Sequence, residues 1–298
     1  MSDAATAWRL WPVFETYHAV VYFASEAPEA YQKLGLKGGW MGYFATRSAP
    51  MGAAPPGLVT AVFFNFHPSM VARALPDAWA LATPEDTLAT RLAVVDAALR
   101  RLLPEWVGKG APQAGGMAEA AALARAAAEA PPVAGRPLYG ALRSLPWPPE
   151  GGSADHLVLW HAATLLREHR GDGHVTALTA EGLDGCEANV TAAAAGQIPR
   201  ETLQVNRKWS DEEWAEAEAR LAERGWLERA GGQMRMTDDG RAGRQRIEGR
   251  TDALAAEPWR ALGPVRTARL LELMRPVAVA IGERGGVPVP NPVGVPAP

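Results

Sequence analysis

The chain has 298 residues, 48% hydrophobic and 21% charged, with 30 Lys and Arg against 33 Asp and Glu. A formal charge of −3 excludes a nonspecific polyanion binder, which needs a basic field. The single cysteine, Cys186, excludes a disulfide framework and a thiolate-only zinc site.

The opening Met1-Ser2-Asp3-Ala4-Ala5 lacks the basic and apolar regions of a signal peptide, so a cytoplasmic location is expected. The N-terminal part is aromatic: all six Phe and four of the five Tyr precede residue 67. Tyr17 and His18 belong to a first helix, and Trp40, Tyr43, Phe44 and Arg47 recur at helical spacing on a later one. Between Ser48 and Ala72 there is no charged residue, but Pro50, Pro55, Pro56 and Pro68 interrupt the stretch, so it reads as a loop entering buried structure and no membrane span is expected. Phe63, Asn65 and His67 alternate with Phe64 and Phe66, which as a strand would turn the first three to one side. An aromatic pocket with a few polar groups suits a planar ligand, whereas an aromatic core with satisfied polar tips is the plainer account.

Thr83-Pro84-Glu85-Asp86 joins a capping hydroxyl, a proline and early acids, and predicts a helix to about Leu103. Breaker-rich stretches at 108–116 and 131–153 read as connections around one short helix, Met117–Ala130. Helices are then expected over 154–169, 173–181 and 186–195. Ser210-Asp211-Glu212-Glu213 has capping-box spacing and opens a further helix over 210–224. A hairpin around Ala230-Gly231-Gly232 follows, and Thr237-Asp238-Asp239-Gly240 starts the next helix. Leu34-Gly35-Leu36-Lys37-Gly38 and Glu181-Gly182-Leu183-Asp184-Gly185 share a Gly-Leu-x-Gly echo at a helix end, which suggests two related halves.

Helices followed by a hairpin and a helix make a winged helix-turn-helix, and the run from Leu221 to Arg241 resembles the corresponding stretch of the MarR regulator family. The whole chain is similar to an actinobacterial family of winged helix-turn-helix proteins, mostly without assigned activity. The phrases that carry this are Tyr17-His18-Ala19-Val20-Val21-Tyr22-Phe23, Trp40-Met41-Gly42-Tyr43-Phe44-Ala45, the run from Leu166 to Val175, and Ile247-Glu248-Gly249-Arg250-Thr251-Asp252. The resemblance implies a helical fold with a winged helix and supplies no reaction.

The expected fold is therefore mainly α: two related helix-turn-helix halves forming an intrachain pseudo-dimer, the second a winged helix with a short β-hairpin. Residues 1–107 form the aromatic-rich helical domain and 108–153 a linker. Residues 154–284 form the winged domain with C-terminal helices, and 285–298 a Pro/Val-rich tail, loose or draped over the surface. The helix expected in the DNA groove, 210–224, carries six acids against two bases, which disfavours DNA as a partner. Contacts through a basic patch of Arg241, Arg244, Arg246 and Arg250 are the alternative.

The densest polar group is Glu168-His169-Arg170-Gly171-Asp172-Gly173-His174, read as a helix end and a tight turn. His169, Asp172 and His174 are candidates for acid–base catalysis, and Arg170 for clamping an anion. Alternatively Asp172 caps a helix starting at Gly173, or His161, His169, Asp172 and His174 hold a metal at spacings that match no zinc pattern. No cofactor is identified; haem ligation by His18 has no supporting pattern. The expected function is a small-molecule-binding protein with a pocket between the halves, taking a planar or anionic compound. Its walls combine Tyr17, His18, Trp40, Tyr43, Arg47, Asn65 and His67 with His169, Arg170, Asp172 and His174. The sequence does not separate an enzyme from a binding protein without turnover, and a ligand-responsive MarR-like regulator is the alternative.

Overall fold

Proline, capping side chains and glycine delimit the helices of this chain, and a computed structural model shows where they pack. It describes residues 3–149, 154–231 and 233–297. The N-terminal part holds α1 (Asp3–Phe23), α2 (Ala27–Lys33), α3 (Gly38–Ser48), α4 (Pro56–Val62), α5 (Pro68–Ala74), α6 (Asp77–Leu81) and α7 (Pro84–Leu102). Proline opens α4, α5 and α7, where the missing N–H costs nothing, and the Thr83 hydroxyl accepts from the Asp86 amide at 3.1 Å. The middle of the chain forms α8 (Ala114–Glu129) and α9 (Pro137–Arg143). Then come α10 (Asp155–Ala180), α11 (Gly185–Ala194), α12 (Arg200–Arg207) and α13 (Asp211–Glu223), the last with a complete capping box at Ser210 and Glu213. The strands β1 (Leu227–Ala230) and β2 (Gln233–Met236) pair antiparallel, Leu227 opposite Met236, and α14 (Asp238–Leu254), α15 (Glu257–Leu262) and α16 (Pro264–Glu283) complete the fold.

Helices dominate, with one small antiparallel hairpin among the described residues, as the sequence predicts. The glycine echo falls at two helix junctions: Gly35 and Gly182 take φ of +83° and +71° just after α2 and α10, and Gly38 and Gly185 begin the next helices, Gly38 alone of these two with a positive φ. None of the helices is long and apolar enough to cross a membrane among the described residues.

The main core joins α1, α7, α8, α10, α15 and α16. Ala120, Ala121, Ala124, Ala127 and Ala128 let α8 lie close against α10, and Phe14, Tyr17, Val20, Leu99, Leu159, Leu270 and Ile281 fill the space around them. The second core gathers Phe44, Phe63, Phe66, Met70 and Leu75 from α3 to α6, and the third gathers Leu178, Leu183, Trp214, Leu221, Trp226 and Ile247 around α11 and α13. Each fully buried side chain of this size contributes about 1.5–3 kcal/mol.

Several expectations give way here. The polar run 168–174 does not turn: α10 continues unbroken through Gly171, Asp172 and Gly173. Two helical glycines cost about 1 kcal/mol each, which the packing of α10 against α8, α9 and α14 outweighs. Gly173 serves close approach, since a Cβ there would strike the Arg136 guanidinium and press on Leu254. Asp172 does not cap its own helix; it accepts from the Leu138 and Tyr139 amides at 3.4 and 3.0 Å, at the start of α9.

Residues 63–67 form no strand, being an irregular loop between α4 and α5 with no neighbouring strand to pair with. The uncharged stretch 48–72 is largely short helices. Residues 108–149, expected to carry one helix, carry α8 and α9 and add Met117, Tyr139, Leu142 and the alanines of α8 to the main core, and α12 is a helix that the sequence reading does not predict. The tail is packed: Val287, Asn291 and Val295 are buried. Asn291 ties its own turn, donating to the Val295 carbonyl and accepting from the amides of Val293 and Val295.

Candidate functional site

Where the three cores meet, a cavity of about 490 Å³ opens between the N-terminal helices and α10, α11, α12 and α14. Its size lies within the range typical of small-molecule sites. The loop 63–67 hinges the two sides together. The Asn65 carbonyl accepts from Asn189 Nδ2 and Trp209 Nε1 at 2.9 and 3.0 Å, and the His67 amide donates to the Arg207 carbonyl at 2.9 Å. Gly185 is required at this seam because a Cβ would collide with the Phe64 carbonyl oxygen. Gly185→Ala is expected to destabilise the protein by about 1–3 kcal/mol through overpacking, read as a lower urea midpoint.

Five arginines and three glutamates line the cavity, a density of charge that needs pairing wherever water is excluded. At its floor Arg47, in the last turn of α3, grips Glu168 of α10 with its side-on fork: Nε to Oε1 at 3.0 Å and Nη2 to Oε2 at 3.1 Å. Arg47 Nη1 donates to Tyr43 Oη at 2.9 Å, and the guanidinium stacks on Phe63 at 4.2 Å. Arg167 donates to Glu168 at 2.8 Å and to Glu15 of α1 at 3.4 Å. Burial opposes ionisation of Glu168, but the guanidiniums of Arg167 and Arg47 outweigh it and hold the carboxyl well below its usual range.

On the other wall, Arg170 pairs with Asp252 at 2.7 Å, and Arg244 pairs with Glu248 at 2.6 Å and donates to Gln197 at 2.9 Å. His174 shares its Nδ1 with Thr251 Oγ1 at 2.9 Å. That hydroxyl gives its own proton to the Ile247 carbonyl, so His174 Nδ1 carries the hydrogen and Nε2 is the basic nitrogen. Burial, with Arg244 adding to it, brings the His174 pKa down to about 4.

The expected site residues fall into two sets. Tyr43, Arg47, Asn65, Arg170 and His174 line the cavity. Tyr17 is buried in the main core and donates to the His156 carbonyl at 3.0 Å. Trp40 packs behind Tyr43, Phe44 and Phe66. His67 caps α5 and pairs with Glu213 at 2.9 Å. His18 lies one layer back: Thr164 Oγ1 donates to the Trp160 carbonyl, so His18 Nδ1–H donates to Thr164 and Nε2 accepts from Tyr22 Oη at 2.9 Å. Tyr22 itself lines the cavity.

His169 and Asp172 lie on another side of α10. His169 is buried edge-on against Tyr139 with Nδ1 unpartnered, its pKa lowered by burial and by Arg136 to about 4. Asp172, raised by burial to about 6 against the Tyr139 and Leu138 amides, borders a separate cavity of about 420 Å³ with Val62, Pro137 and Thr176. Cys186 is buried and its thiol is pushed up to about 12 by burial and then by Asp184 and Glu213, which leaves it unreactive. Among the described residues no three His, Cys, Asp or Glu side chains converge as metal ligands.

Sequence reasoning missed Trp8, Trp11, Tyr22, Arg167, Glu168, Arg207 and Arg244 as cavity residues. A signal was present: Arg167, Arg170, Gly171 and His174 recur at i, i+3, i+4 and i+7, one face of an unbroken helix. Breaking the helix at Gly171 hid that face.

A model for a helix-turn-helix family matches residues 7–288, and the chain belongs to that family. No curated protein and no solved structure matches it.

Proposed function

We propose that this helix-turn-helix protein is a small-molecule-binding protein whose ligand lies in the cavity between its two halves, on a scaffold that no longer engages DNA. The carrying observation is the cavity itself, which brings Tyr43, Arg47 and Asn65 of the N-terminal part against Arg170 and His174 of α10. Of the three acid–base candidates only His174 lines it, so the reading is one of binding rather than turnover. The matched glycine junctions support a chain of two related halves, with the hairpin after α13 as the wing of the second.

The charges around α13 support the loss of DNA binding. Glu212, Glu216 and Glu223 are exposed on the helix expected to face the duplex. Of its two bases, Arg220 is spent on Asp184 and Glu187 at 2.6 and 2.9 Å, and Arg224 donates to the Gly182 and Glu181 carbonyls at 3.1 and 2.7 Å. The alternative basic patch is also engaged: Arg246 and Arg250 pair with Glu181, Arg241 with Asp238, and Arg244 is buried against Glu248. DNA affinity depends on free Lys and Arg meeting phosphates, and these arginines already face carboxylates or backbone carbonyls.

The test uses the neutral fluorophore N-phenyl-1-naphthylamine and an electrophoretic mobility shift. Saturable binding of about one equivalent, with quenching of Trp8 and Trp11 at the cavity wall, is expected. Ala192→Trp, which fills the cavity from α11, is expected to weaken that binding at least tenfold with the helical circular dichroism unchanged. Absence of probe binding, or binding indifferent to Ala192→Trp, removes the cavity reading. Sequence-selective retardation of the gene's own upstream duplex at low salt restores the DNA-binding regulator instead.

A further inference from the structure

The five arginines around the cavity are not equivalent. Arg47 and Arg167 share Glu168, Arg170 has Asp252, and Arg244 has Glu248. Arg207, in the last turn of α12, has no carboxylate within reach among the described residues. Its guanidinium lies over the Phe66 ring at 4.3 Å. Nη2 donates to the Pro292 carbonyl of the tail at 2.7 Å, and Nε is shut off from solvent with no partner. On Arg47 the equivalent pair, Nε and Nη2, is the fork that Glu168 fills. On Arg207 the same fork is half empty, one arm held by a neutral carbonyl that matches neither its charge nor its two-pronged geometry.

A half-buried guanidinium with no carboxylate is costly, and here Arg47 and Arg167 add to the positive potential around it. A second unfilled N–H, Nε of the buried Arg244, lies on the same cavity. Arg167 also reaches Glu15, so among the described residues the five guanidiniums stand against four carboxylates, Glu15, Glu168, Glu248 and Asp252, and the imbalance is one positive charge. The wall at Arg207 is aromatic: Phe66 lies under its guanidinium, Phe63 and Tyr43 pack on Phe66, and Trp11 also lines the cavity.

We propose that Arg207 is the anion subsite of this cavity and that the ligand is a planar organic monoanion, a carboxylate or sulfonate carried on an aromatic body. This deepens the reading of the cavity as a ligand site and rests on it. The anion takes both arms of the Arg207 fork, displacing the Pro292 carbonyl, while the rings of Phe63, Phe66 and Tyr43 hold the aromatic body. Tail residues Pro292, Val293, Gly294 and Pro296 border the cavity and cover the bound anion.

A matched pair of probes tests it: N-phenyl-1-naphthylamine and 8-anilinonaphthalene-1-sulfonate, which add up to the same aromatic body without and with one negative charge. Both are titrated against the full chain by fluorescence. The sulfonate is expected to bind roughly ten- to hundredfold more tightly, the range of a charge-assisted hydrogen-bonded pair. Arg207→Gln is expected to bring the two affinities within about twofold while leaving the neutral probe's affinity unchanged, which also reports that the variant is folded. Arg207→Lys, which keeps the charge but not the fork, is expected to retain only part of the preference, and it serves if the glutamine variant does not fold. If the neutral probe binds and the sulfonate binds no better, the anion subsite is wrong and the cavity reading stands. Full preference in both variants likewise overturns it. If neither probe binds, both readings fall.

Discussion

Glu168→Ala is expected to cost the fold about 3–5 kcal/mol, the usual penalty for removing one partner of a buried ion pair. Glu168 is 1% exposed and Arg47 8%, so the Arg47 guanidinium cannot recover its lost partner from bulk water. Arg47 and Arg167 would then repel each other across the space the carboxylate held. Small proteins have about 5–15 kcal/mol of stability in total, so the loss is a large share of it. Urea unfolding followed by tryptophan emission reads the change. A loss under about 1 kcal/mol would mean that water reaches this network and that the cavity floor is not the dry, charged surface described. Glu168→Gln, which keeps one acceptor but no charge, is expected to fall between the two.

The second large effect is acid unfolding above pH 4. Burial, reinforced by nearby arginines, lowers the pKa of His161, His169 and His174 to about 4, from the ordinary 6.5. The unfolded chain therefore takes up these protons first. Stability is complete above pH 6.5 and is lost as pH falls through the window from 6.5 to about 4. Asp172 works the other way: its folded pKa of about 6 exceeds the ordinary 3.8, so it adds stability as pH falls through that interval. Three histidines against one carboxyl leave a net loss on the order of 5 kcal/mol. A circular-dichroism titration should show the helices melting between about pH 5 and 4, with the midpoint moved to lower pH in His169→Leu. A protein that keeps its helices to pH 3 would show that these histidines protonate without opening the fold.

Much of the fold was legible because its signals are local. The Thr83 cap with Pro84, the capping box at Ser210 and Glu213, and the two glycine junctions depend on residues within a few positions of each other, and each lies where those rules put it. Tyr43 and Arg47, one helical turn apart, reach the same cavity for the same local reason. The misreading of 168–174 came from applying a local rule where a distant contact wins. Gly171 and Gly173 weaken a helix by themselves, but Arg136 and Leu254, far away in the chain, pack where a Cβ of Gly173 would be, and α10 runs on through both glycines.

That one decision redistributed the chemistry. In a turn, His169, Arg170, Asp172 and His174 would converge; on a continuous helix, Arg170 and His174 face the cavity while His169 and Asp172 face α9. Arg207 illustrates the other side of the divide. Nothing in its neighbourhood along the chain distinguishes it from the other arginines, and its missing carboxylate is a matter of what the loop at Phe66 and the tail at Pro292 bring to it. The amino-acid order alone determined which segments are helical, where most of them begin and which carry aromatic or charged faces, because backbone hydrogen bonds and caps are satisfied within a turn or two. Which charges meet, which are left over and whether a cavity lies between them were decided only by tertiary packing, because desolvation and ion pairing act through space between residues more than a hundred positions apart.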